Sequence, residues 1–159
     1  MTESTAPSPT APARIVVGVD GSAPSVGALR EGARLAVALG LPLEAVTAWH
    51  MPDLYGGYQG EAFVPDGRDL VRAAETGQGE AVAAVFGDDV PDWFHGAIRE
   101  GRSAQTLIEA SRGATMLVVG SRGRGGFAGL LLGSVSLTCT AHALCPVLVC
   151  RDVTAPAAS

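Results

Sequence analysis

Short unbroken apolar runs alternate along the chain with longer stretches in which apolar residues return every three or four positions. Ile15-Val16-Val17-Gly18-Val19 is a β-branched run that ends at Asp20-Gly21-Ser22, where turn residues and a helix N-cap coincide. Apolar residues then recur at Val26, Leu29, Ala33, Ala36 and Val37, the spacing of one helix face, and Gly40 with Pro42 ends it. A second strand is expected over 43–49. Residues 50–68, full of Gly, Pro and Asp, read as a surface loop. Helical spacing resumes at Leu70, Ala73, Ala74, Ala81, Val82 and Val85, although Gly77 and Gly79 each cost about 1 kcal/mol relative to Ala in a helix. A strand over 93–98, a helix over 103–110 capped by Ser103, the buried strand Met116-Leu117-Val118-Val119, a helix over 134–143 and a last strand over 146–150 complete the series.

Strands without polar alternation, separated by helices, require a sheet covered on both faces. The expected fold is therefore α/β, a three-layer doubly wound sandwich around a five-stranded parallel sheet. Ligands of such folds lie beyond the carboxyl ends of the strands, where the strand order reverses. Three segments follow strand ends there: 18–22, 48–51 and the stretch from Gly120 onwards.

Composition narrows the classes. A chain of 159 residues, 47% of them hydrophobic, can bury a core without disulfides or a structural metal, so one domain over 14–152 is expected. Residues 1–13, almost wholly Ser, Thr, Pro and Ala, read as a disordered tail, and 153–159 as a flexible C-terminus. The formal charge of −5 gives no global attraction to nucleic acid or anionic lipid. All basic residues are Arg, which excludes Schiff-base and P-loop lysine chemistry. Cys139, Cys145 and Cys150 form no C-x-x-C pair, and Cys145 and Cys150 in one strand would stand about 16 Å apart. A disulfide needs Cα atoms within ~7 Å, so buried, reduced thiols are expected. With no signal-peptide pattern and no apolar stretch of ~18 residues, the expected location is cytoplasmic, away from membranes.

The richest stretch is Val118-Val119-Gly120-Ser121-Arg122-Gly123-Arg124-Gly125-Gly126, followed after six residues by Gly133-Ser134-Val135-Ser136. Glycines let backbone N–H groups converge on a ligand, and Ser134 opens a helix whose amino end is partly positive. The hydroxyls of Ser134 and Ser136 and the guanidinium groups of Arg122 and Arg124 add donors suited to nucleotide phosphate. Rival readings are a mere tight connection, an Arg-Gly RNA-binding segment, and a dinucleotide fingerprint at Gly123-x-Gly125-x-x-Ala128. The fingerprint lacks its context, since its first glycine should follow the strand directly and open the helix.

Gly120-x-x-Gly123, nine residues, then Gly133-Ser134 resembles the ATP-binding signature of the universal stress protein family, G-x-x-G-x(9)-G-[S/T]. The resemblance spans 14–151. Ile15-Val16-Val17-Gly18-Val19-Asp20-Gly21-Ser22 looks like the family's first strand, and Cys145-Pro146-Val147-Leu148-Val149 like its last. It implies a Rossmann-like, adenine nucleotide alpha hydrolase-like fold that holds ATP, with or without Mg²⁺, over the first and fourth strands. Asp20, led into by Gly18 and Val19, would face the nucleotide, and Ala48 would offer backbone groups to adenine. Gly120, Gly123 and Gly133 would surround ribose and phosphates, and Ser134, Val135 and Ser136 would bind phosphate. Thr115 and Cys150 depart from the family's usual Asp and aliphatic residue, away from the site.

Asp20 has an alternative role as a helix cap. His50, His95 and His142 share no metal spacing, and His142, three residues from Cys139, is expected to be buried or interfacial. No G-x-S-x-G elbow is present. The reading is a nucleotide-dependent regulator of stress response. The alternatives are a slow ATPase or autophosphorylating enzyme, with Ser134 or Ser136 as acceptor, and a dimerisation scaffold without nucleotide. The apolar last strand, Pro146-Val147-Leu148-Val149-Cys150, should lie at a sheet edge and form a homodimer, as the resemblance also implies.

Overall fold

The structure, a computed structural model, describes residues 12–53, 64–123 and 132–151. Its elements in chain order are β1 (Ile15–Gly18), α1 (Ala23–Leu39), β2 (Leu43–Trp49), α2 (Gly67–Phe86), β3 (Phe94–Glu100), α3 (Ser103–Ala110), β4 (Met116–Gly120), α4 (Ser134–His142) and β5 (Val147–Cys150). The strands form one sheet in the order β3-β2-β1-β4-β5. Every pairing is parallel, and β1 is central, with Ile15 opposite Leu43 on one side and Met116 on the other. The chain winds outward from β1 to β3, then crosses to β4 and β5. The order therefore reverses between β1 and β4.

Alternate strand residues feed two cores, which explains why the strands read as unbroken apolar runs. Ile15, Val17, Leu43, Ala45 and Val118 pack with Leu29, Ala33 and Ala36 of α1 and Ala81 of α2. Val16, Val46, Leu117 and Val119 pack on the opposite face with Leu107 and Ala110 of α3 and Cys139 of α4. The expected three-layer α/β sandwich is the fold observed.

Several local expectations need correction. Val37 is 68% exposed, because it lies about 100° around the helix from buried Ala36 and turns to solvent. Ser103 does not cap α3: the N-cap is Arg102, with no side-chain cap hydrogen bond, and Ser103 is the first helical residue. Ser134 opens α4 as expected, after the N-cap Gly133. The loop reading of 50–68 runs too far, since Asp66 caps α2 by accepting from Arg68 N–H, and the helix starts at Gly67. β3 extends to Glu100, which stands opposite Trp49. His142 is exposed at the end of α4, where a basic group suits the negative pole of the helix.

All three cysteines are free; Cys139 is buried, and Cys145 and Cys150 are half-buried. Burial pushes the Cys139 thiol up to about 11, and it raises Cys145 and Cys150 as well. None is poised as a thiolate near neutral pH. No helix of the described residues is long and apolar enough to cross a membrane. Most of the two expected terminal tails lies outside the described residues, which begin at Pro12 and end at Arg151.

A cleft at the strand-order reversal

β1 hands the chain to Val19 and Asp20 at the carboxyl edge of the sheet. Asp20 Oδ1 accepts from Ser22 N–H at 2.9 Å and from the Ser22 hydroxyl at 2.5 Å, which fixes the carboxylate above the start of α1. The cap of α1 itself is Ser22, whose Oγ accepts from Ser25 N–H. Asp20 thus braces the cap and does not replace it.

β4 ends beside this turn. A side chain at Gly120 would place its Cβ 2.9 Å from the carbonyl carbon and oxygen of Pro24, so only glycine allows β4 to meet the first turn of α1. At Gly123 a Cβ would lie 2.9 Å from Asp20 Oδ2. The acid of the first strand and the glycine after the fourth are in direct apposition. Ser121 N–H donates to Cys150 C=O at 2.8 Å, and Gly133 N–H to Ser121 C=O at 2.7 Å, which brings the far end of the loop back to its start.

From Gly133 the chain enters α4. Its N-cap makes no side-chain hydrogen bond, and Leu137 N–H is the donor to Gly133 C=O. The N–H groups of Ser134, Val135 and Ser136 precede that bond and have no partner within the helix. The Ser136 hydroxyl is buried and donates to Gly120 C=O at 2.5 Å, which couples α4 to β4. Its expected use as a phosphate donor is therefore reduced, because its one hydrogen is already engaged.

These elements enclose a cleft of about 430 Å³. Gly18, Val19, Asp20, Ala48, Val119, Gly120, Arg122, Gly123, Gly133, Ser134, Val135 and Ser136 all line it. Ser121 is buried and outside the lining. Arg124, Gly125 and Gly126 fall outside the described residues. Sequence reasoning missed the apolar wall from α2, made of Leu70, Ala73, Ala74 and Gly77, together with Thr47 of β2 and Ser103 and Leu107 of α3, whereas Trp49 and His50 fall in the segment 48–51 that it placed at the strand ends. The i, i+3, i+4, i+7 spacing of the α2 wall was visible, but spacing alone does not tell a face on the sheet from a face on a cleft.

The cleft has two unlike ends. Near α4 it offers amide N–H groups, the exposed Ser134 and the exposed Arg122; near α2 it is apolar and aromatic. Among the described residues Asp20 is the one acid in the lining. Among the described residues no group of three or more His, Cys, Asp and Glu could hold a metal ion.

Comparison with known proteins matches residues 13–151 to the universal stress protein family. The chain belongs to the universal stress protein family. Universal stress protein Rv2005c of Mycobacterium tuberculosis is 35% identical over 155 residues, covering 85% of this chain and 46% of that protein. The chain spans about half the length of the curated relatives it matches. A crystal structure of a universal stress protein in complex with cAMP is 25% identical, with a TM-score of 0.55 over 86% of this chain and 95% of that one. The universal stress protein from Archaeoglobus fulgidus in complex with dAMP shares the fold, at 20% identity and a TM-score of 0.61 over 87% and 97% of the two chains. In universal stress protein terms, the signature glycines 120, 123 and 133 are the residues that here join β4, Asp20 and α4 at the cleft.

Proposed function

We propose that this universal stress protein binds ATP in the cleft between β1 and β4 and works as a nucleotide-dependent regulator of stress response in the cytoplasm. The observation that carries this reading is the polarity of the cleft: an amino end of α4 without a side-chain cap faces an apolar α2 wall across one cavity. A nucleotide has the same division. Phosphates fit between Gly123 and Ser136, where helix N–H groups and Arg122 supply donors. The base fits toward α2 and the Ala48 backbone. The cAMP complex of the 25% identical relative supports an adenine nucleotide as the ligand class. Where Mg²⁺ accompanies ATP, the phosphates carry it.

Asp20 serves the adenosine side. A carboxylate accepts from ribose hydroxyls or an amino group, whereas beside polyphosphate it is repelled unless a cation intervenes. Asp20→Ala is expected to weaken ATP and adenosine by similar factors, on the order of tenfold for a lost charged hydrogen bond. Calorimetry with both ligands checks this. Loss of ATP affinity only with Mg²⁺ present, with adenosine binding intact, contradicts it.

The same reading includes a homodimer through Pro146-Val147-Leu148-Val149-Cys150. β5 lies at the sheet edge with its residues half-exposed, and an unpaired apolar edge favours a partner strand or face. Light scattering at micromolar concentration should give the mass of two chains. A monomeric mass contradicts the dimer.

A further inference from the structure

α2 carries a buried glutamine where it meets the sheet. Gln78 is 8% exposed, and its Nε2 donates to Thr47 Oγ1 at 2.9 Å and lies 3.2 Å from the carbonyl oxygens of Ala45 and Ala97. One carboxamide thus ties α2 to both β2 and β3. Thr47 is 5% exposed and lines the cleft, one residue before Ala48. A hydroxyl has a single hydrogen to give. With an amide N–H directed at its oxygen from the protein side, that hydrogen is left to be donated, and among the described residues the Thr47 hydroxyl has no acceptor for it. Because Thr47 lines the cleft, a ligand atom that accepts can take that hydrogen in place of solvent.

We infer that Thr47 reads the base, its hydroxyl donating to an unprotonated ring nitrogen, and that Gln78 is the positioning residue that holds the hydroxyl in that orientation. This deepens the proposed nucleotide site and rests on it. The ligand class is a base with a ring-nitrogen acceptor at the β2 edge, as adenine has. A base with an N–H at that place sets donor against donor and is disfavoured. Gln78 also gives the base a route to the fold, because the hydroxyl it holds is coupled through one side chain to α2 and β3.

The test titrates the full chain with ATP and with 1-deaza-, 3-deaza- and 7-deaza-ATP, each of which replaces one ring nitrogen by C–H. Wild type should bind one of the three about tenfold more weakly than ATP, the effect of one lost hydrogen bond. That difference should vanish in Thr47→Val, survive in Thr47→Ser and shrink in Gln78→Met. If Thr47→Val fails to fold, the Gln78→Met series decides. Equal weakening of ATP and all three analogues by either substitution means a merely structural role and overturns the inference, as does unchanged ATP affinity in Thr47→Val. A wild type that binds no ATP overturns the nucleotide site itself, a separate result from ATP binding that is indifferent to Thr47.

Discussion

Replacing Gly123 and Gly133 together with valine is expected to lower ATP affinity on the order of a hundredfold while leaving the chain folded. Gly133 has an ordinary φ of −70°, and among the described residues the nearest atoms to a Cβ there stand at 3.5 Å, so the backbone tolerates a side chain. That side chain instead occupies space before the amino end of α4. At Gly123 the new Cβ meets Asp20 Oδ2 at 2.9 Å and displaces a carboxylate held by Ser22. Hydrogen bonds to charged groups contribute about 1.5–3 kcal/mol, which places the combined loss near two decades of affinity. Calorimetry measures it directly. Unchanged affinity in the double variant would remove the phosphates from this loop.

Gly120→Val should act on stability. The Cβ meets the backbone of Pro24, not the movable end of a side chain, so β4 and α1 must separate. Overpacking of this kind costs about 3 kcal/mol, a large part of a domain's net stability. Urea unfolding should show a clearly lower midpoint at constant slope. A midpoint equal to wild type contradicts the tight packing of β4 on the first turn of α1.

The sequence pattern carried the fold where burial is two-sided. Ile15, Val16 and Val17 are fully buried, and so are Leu117 and Val118, hence their unbroken apolar runs. β3 is an edge strand with His95 and Gly96 exposed, which blurred its signal and hid its last two residues. The cap of α3 was misplaced by one residue because a serine beside the cap position resembles the cap itself. At the cleft, spacing identified the glycines and serines that line its α4 end. It could not identify Thr47 or the α2 wall, because their role depends on which face of α2 overhangs the strand ends, a tertiary fact. Gln78 was invisible for the same reason. A polar residue inside a helical pattern reads as solvent-facing until the carbonyls and hydroxyl it meets are known.

The central claim, that an adenine nucleotide occupies this cleft with its base toward α2, is tested most directly by Trp49. The chain has two tryptophans. Trp49 lines the cleft, whereas Trp93 packs edge-on against Phe86 just before β3, at the opposite end of the sheet. In a Trp93→Phe variant titrated with ATP, Trp49 emission should change saturably, with a midpoint equal to the calorimetric dissociation constant, and adenosine should compete for the change. ATP binding by calorimetry with no response at Trp49, or no saturable binding at all, would contradict the account.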